Sequence, residues 1–112
     1  MSTLARRRLP RKGAAEIPPT ADELASMAGI FAGLSDPTRL GIVAAIRHRE
    51  RSVGEIAEQL ELSEPSVSQH LRWLRSLRVV RLRPEGRRHY YQLDDEHVAA
   101  LLDLCLEHTR GG

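Results

Sequence analysis

Cysteine occurs once in the 112 residues, at Cys105, so no disulfide can close within the chain. Aromatic side chains are nearly as scarce, at 4% of the residues, which leaves a core of Leu, Ile, Val and Ala that must be modest in size. Burying a helix between two copies would supplement such a core, and a homodimer is expected. No apolar run approaches the roughly 18 to 20 residues of a membrane span. The opening "RRRLPRK" leads into "GAAEIPPT", which lacks the hydrophobic stretch of a secretion signal, so a cytoplasmic protein without membrane association is expected. Length excludes more still: one domain of this size does not hold an enzyme scaffold with a deep cleft of its own. No nucleophile–base constellation or cofactor loop accompanies its histidines and carboxylates, and a binding module is favoured over an enzyme.

Net charge is also low, at +2, but the positive charge is clustered. Arg6, Arg7, Arg8, Arg11 and Lys12 open the chain; Arg72, Arg75, Arg78, Arg81, Arg83, Arg87 and Arg88 form a second group. Clustering of this kind points to a polyanion; the first group reads equally well as solvated surface, whereas for the second the functional reading is favoured. Residues 1–19 mix basic, small and proline residues without periodicity and read as a flexible basic arm; residues 20–112 form the folded domain. Thr20 with Glu23 makes a capping box ahead of an apolar stripe, Leu24, Met27, Ala28, Ile30 and Phe31. Ser35 or Asp36 caps a second helix that has Pro37 in its first turn and Leu40, Val43 and Ile46 at helical spacing.

"SVGEIAEQLELSEPSVSQHLRWLRSL" contains two further helices, the first capped by Ser52 with Glu55, the second by Ser63 with Pro65 near its start. Val67, Leu71 and Leu74 turn one face of the second helix inward. Ser66, Ser68, Gln69, His70 and Arg72 lie on its other sides, an arrangement that reads as a helix-turn-helix with an exposed recognition helix. Gln69 suits bidentate pairing with adenine, the serines and His70 can bond bases or phosphate, and Arg72, Arg75, Arg87 and Arg88 suit phosphate. Trp73 reads as a packing residue. "VVRLRPEGRRHYYQL" then predicts a β-hairpin turning at Glu85 and Gly86, with Arg83, Arg87 and Arg88 at its tip: a wing beside the recognition helix. The fold class expected is mainly α with a small β-hairpin, a winged helix-turn-helix dimerising through its N- and C-terminal helices.

The motifs "SVSQHLRWL", "GRRHYYQL" and the terminal "DEH" with a later histidine resemble the ArsR/SmtB metal-sensing repressors over about residues 21–108. The resemblance implies a homodimer that binds inverted-repeat operator DNA and is released when metal binds. It places Asp95, His97 and His108 at the positions of the family's terminal-helix metal ligands. His97 and His108 are eleven residues apart, on nearly one helical face, yet about 16 Å apart along the axis. They can share an ion only across two chains whose terminal helices pack antiparallel, and the O,N,N set suits zinc, cobalt or nickel. Asp95 is equally a good helix N-cap.

This sequence departs from the family at the fourth ligand, where it has Gly111. Water, Asp94, Cys105 or the Gly112 carboxylate could replace it. The family's thiolate-rich site at the third helix is missing too, because "ERSVGEIAEQL" has no cysteine. A ligating His108 is expected to offer its second ring N–H to a carbonyl near Leu77 or Arg78. Two other readings stay open: a metal-independent regulator that senses oxidation at Cys105, and an interaction module that no longer reads DNA.

Overall fold

The computed structural model describes residues 16–111. The basic cluster at residues 6–12 and the Gly112 carboxylate lie outside these residues.

The capping chemistry sets where the helices begin. Thr20 Oγ1 accepts from the Glu23 N–H while the Glu23 carboxylate accepts from the Thr20 N–H, and α1 runs Ala21–Leu34. Asp36, rather than Ser35, caps α2 (Pro37–Ala45); Ser35 instead ends α1, its hydroxyl donating to the Ala32 carbonyl. A two-residue strand, β1 (Arg51–Ser52), precedes α3 (Val53–Leu60), and the Ser52–Glu55 capping box is formed. Glu61 closes α3 with φ 56°, in the left-handed region. Ser63 caps α4 (Glu64–Ser76), after which Arg78 turns the chain at φ 60° so that the Val79 N–H reaches back to the Leu74 carbonyl. The hairpin strands β2 (Val80–Glu85) and β3 (Arg88–Leu93) follow, and α5 (Glu96–Thr109) is the last element.

The sheet has three antiparallel strands in the order β1-β3-β2, so the wing is anchored on one edge by Arg51 and Ser52 opposite Tyr91 and Tyr90. Pairing of Glu85 with Arg88 places the two-residue turn at Gly86–Arg87, one residue later than expected. The cause is backbone geometry. Gly86 has φ +59° and Arg87 a negative φ, the pattern of a type II′ turn, which requires glycine at its first central position.

Ile42, Ile46, Ile56, Val67, Leu71 and Leu74 are fully enclosed, so α2, α3 and α4 close around one aliphatic core, roofed by Val79, Val80 and Tyr91 from the sheet. Each such burial contributes about 1.5–3 kcal/mol. The position of α1 differs. Only Gly33 and Leu34 are buried, Gly33 packing beside Leu74 of α4 and Leu77 just after it, while Leu24, Met27 and Phe31 point outward. On α5, Ala100 and Leu102 face the core, and Asp103 lies within 3.4 Å of Arg47 Nε and 3.3 Å of His48 Nε2, tying α5 to the end of α2.

Candidate nucleic-acid interface and metal centre

Along α4 the buried stripe Val67, Leu71, Leu74 leaves Gln69 and Arg72 fully outward, one turn apart, with Ser66, Ser68 and His70 half-buried on the flanks. Ser68 faces the wing. Together with Arg87, Arg88 and His89 from the hairpin and Glu64 from the first turn of α4, it lines a cleft of about 440 Å³ floored by the start of α3. The structure thus brings Ser68, Arg87 and Arg88 into one groove and leaves Gln69, His70 and Arg72 on the exposed ridge beside it.

Arg83 is not at the hairpin tip. It sits at mid-strand, its guanidinium bonding both Glu50 oxygens at 2.6–3.1 Å, reaching Glu85 at 3.3 Å and stacking 4.7 Å over the Tyr90 ring. The hydrogen bonds from Arg83 hold the Glu50 carboxyl below the usual carboxylate range, and those to Glu50 raise Arg83 in turn. Arg83 therefore braces the wing against the segment after α2 and is occupied by protein. Glu55 is likewise held low, first by the backbone N–H of Ser52 and then by its hydroxyl.

At the far side, Arg39, which was not singled out by its sequence context, meets Trp73. Arg39 donates through Nε to the Gly33 carbonyl at 2.7 Å, closing the end of α1, and its guanidinium stacks 4.2 Å over Trp73. Trp73 is 41% exposed, so it packs against an arginine rather than in the core. The stacking joins residues 34 positions apart, so no local pattern announces it.

At the start of α5, Asp95 is the N-cap: Oδ1 accepts from His97 N–H at 2.9 Å and Val98 N–H at 3.2 Å. Its second oxygen, Oδ2, is 3.5 Å from His97 Nδ1. The cap thus uses one oxygen of the carboxylate and leaves the other beside His97. His97 is 77% exposed. His108 lies exposed at the other end of α5, and its ring makes no hydrogen bond among the described residues, to Leu77 or Arg78 or elsewhere. Cys105, one turn earlier, is exposed as well. Among the described residues of one chain no three His, Cys, Asp or Glu side chains cluster to hold a metal. Asp95 and His97 come together; His108 stays apart from them. No described helix is long and apolar enough to cross a membrane.

Comparison with known proteins bears on both surfaces. Residues 36–81 match the bacterial regulatory protein, arsR family. The chain is 42% identical over 81 residues to the HTH-type transcriptional regulator KmtR of Mycobacterium tuberculosis, covering 72% of this chain and 62% of that protein. It is 39% identical over 85 residues to a cadmium resistance transcriptional regulatory protein CadC homolog of Staphylococcus aureus, covering 75% and 70%. The chain thus spans about two thirds of the length of these relatives. Among solved structures, HlyU from Vibrio cholerae superposes with a TM-score of 0.74 at 31% identity over 83% of this chain and all of that one. A homodimeric winged helix-turn-helix DNA-binding domain from Mycobacterium bovis gives 0.73 at 29% identity, covering 93% and 94%. With its winged helix-turn-helix and these relatives, the chain belongs to the arsR family of bacterial transcriptional regulators.

Proposed function

We propose that this regulator is a metal-responsive repressor: a homodimer on inverted-repeat operator DNA, released by zinc, cobalt or nickel held between Asp95 and His97 of one subunit and His108 of the other. The observation that carries the reading is the division of labour on Asp95, whose Oδ2 is left beside His97 Nδ1 while Oδ1 caps the helix. One relative's name ties it to cadmium resistance, and one superposed domain is homodimeric. The outward apolar residues of α1 supply a face for pairing.

On DNA, Ser66, Ser68, Gln69 and His70 read base edges while Arg72, Arg87 and Arg88 bind phosphate. Asp95 and His97 of one subunit and His108 of the other would hold the ion, which would supply a cross-link between the two terminal helices. Because Asp103 ties α5 to Arg47 and His48 just after α2, and Leu102 of α5 shares the core with α2, α3 and α4, a change in how two α5 helices pair reaches the helix-turn-helix of each chain. The α4 helices must lie about 34 Å apart to enter successive major grooves, so a changed pairing angle weakens binding. The ligand acts only through its different affinity for the two dimer shapes, typically about 1–3 kcal/mol.

The test is fluorescence anisotropy on DNA from upstream of the protein's own gene, at one salt concentration, with and without zinc. Tight binding that zinc weakens supports the reading. Tight binding indifferent to zinc, cobalt and nickel overturns it. A metal-independent regulator is the second reading, favoured by the exposure of Cys105 and by the likeness to HlyU, named a transcriptional activator in Vibrio cholerae. Release by peroxide, lost in Cys105→Ser, would select it.

A further inference from the structure

Glu64 places a carboxylate, favoured there by the N-terminal end of α4, in a surface otherwise suited to a polyanion. It is the first residue of α4, exposed, and stands in the cleft with Arg87, Arg88, Ser68 and His89. One of its carboxylate oxygens lies 3.8 Å from the point where a Cβ on Gly54 would project, so the group extends over the start of α3. The other carboxylate lining the cleft has work inside the fold: Glu55 completes the Ser52 capping box. Glu64 makes no hydrogen bond or ion pair among the described residues, and Ser63 already caps α4.

An unpartnered carboxylate there weakens contact with every phosphate it approaches. The DNA groups that can satisfy it are hydrogen-bond donors on the floor of the major groove, above all the cytosine N4 amine. Residues at the N-terminal end of a recognition helix are those that approach base edges. We infer that Glu64 is a specificity determinant, accepting from cytosine N4 at one position of each half-site and disfavouring the other bases there. This rests on α4 being the recognition helix.

The experiment selects DNA from a random-sequence pool with the full-length wild-type protein, Glu64→Ala and Glu64→Gln, without added metal. Affinities for the recovered sites and their single-base variants are then measured at one salt concentration. Glu64 is exposed and its neighbour Ser63 retains the cap, so the variants keep the fold, checked by circular dichroism. The wild type should prefer cytosine at one position per half-site by about tenfold. Glu64→Ala should lose that preference while the others remain, and Glu64→Gln should move it toward adenine. If Glu64→Ala binds every sequence more tightly by the same factor, with all preferences intact, the carboxylate is a general electrostatic brake and the inference is wrong. A wild-type protein that enriches no motif overturns the assignment of α4 itself, and the inference with it.

Discussion

Asp95 offers a substitution that separates helix capping from metal ligation. Oδ1 accepts two backbone N–H groups and Oδ2 faces His97 Nδ1, so the two oxygens can be removed in turn. Asn keeps an oxygen for the cap but presents a nitrogen that cannot bind metal; Ala removes both. Loss of the cap costs about 1 kcal/mol, and loss of a negative charge at the start of α5 costs about 0.3–1 kcal/mol in either variant. Asp95→Ala should therefore be less stable than Asp95→Asn by about 1 kcal/mol, or about 4–8 °C in Tm for a domain of this size. In metal the two should behave alike. Zinc at a hundred times its Kd stabilises a binding protein by about 2.7 kcal/mol, and neither variant should show that rise. Differential scanning fluorimetry at fixed protein concentration, with and without zinc, reads both effects. A zinc-dependent rise retained by Asp95→Asn would refute ligation by Oδ2, and equal melting of the two apo variants would refute the capping assignment.

Leu71 is fully enclosed between α4 and the core, so Leu71→Ala should lower unfolding free energy by about 2–5 kcal/mol in urea titrations; a loss under 1 kcal/mol, judged against that range, would mean the site collapses around the smaller side chain. At the wing tip Gly86→Ala meets open space but must adopt φ +59°, so it should destabilise by roughly 1 kcal/mol, and Gly86→Asn by less. Unchanged stability in Gly86→Ala would argue against the type II′ turn. For Glu50, the folded-state carboxyl lies below its ordinary 4.5, so the Arg83 brace contributes at neutral pH and its contribution is lost as pH falls through the folded-state value. The stability gap between wild type and Glu50→Gln should be present near neutrality and shrink in acid; a gap independent of pH would dissociate the brace from Glu50 ionisation.

What could be read in advance is what is written locally. The serine or threonine followed three residues later by glutamate at Thr20 and Ser52 placed two helix starts, and both capping boxes form. The spacing of Val67, Leu71 and Leu74 placed the buried face of α4. Other features depend on partners far along the chain. β1 is two residues long and has no alternation to detect; it exists because β3 offers Tyr90 and Tyr91 an edge to pair. Arg83 resembles its basic neighbours until Glu50, 33 residues earlier, is brought against it. The hairpin turn slipped by one residue because glycine's backbone freedom outweighs the local composition around Pro84. Asp95 and His97 come together because Asp95 is the N-cap with extended backbone rather than a helical residue, whereas the place of Glu64 in the cleft emerged only from the packing of α4 beside α3 and the wing.

The manner in which α1 is held has a bearing on how such a regulator lives in a cell. Only its last turn is buried in its own chain, and the α2–α4 core closes without the outward residues Leu24, Met27 and Phe31. Under the proposed pairing, two copies can part without unmaking either winged helix. Each composite metal site would then be unmade as the copies part, since Asp95 and His97 stay with one and His108 leaves with the other, so holding metal and holding the dimer together would be one act.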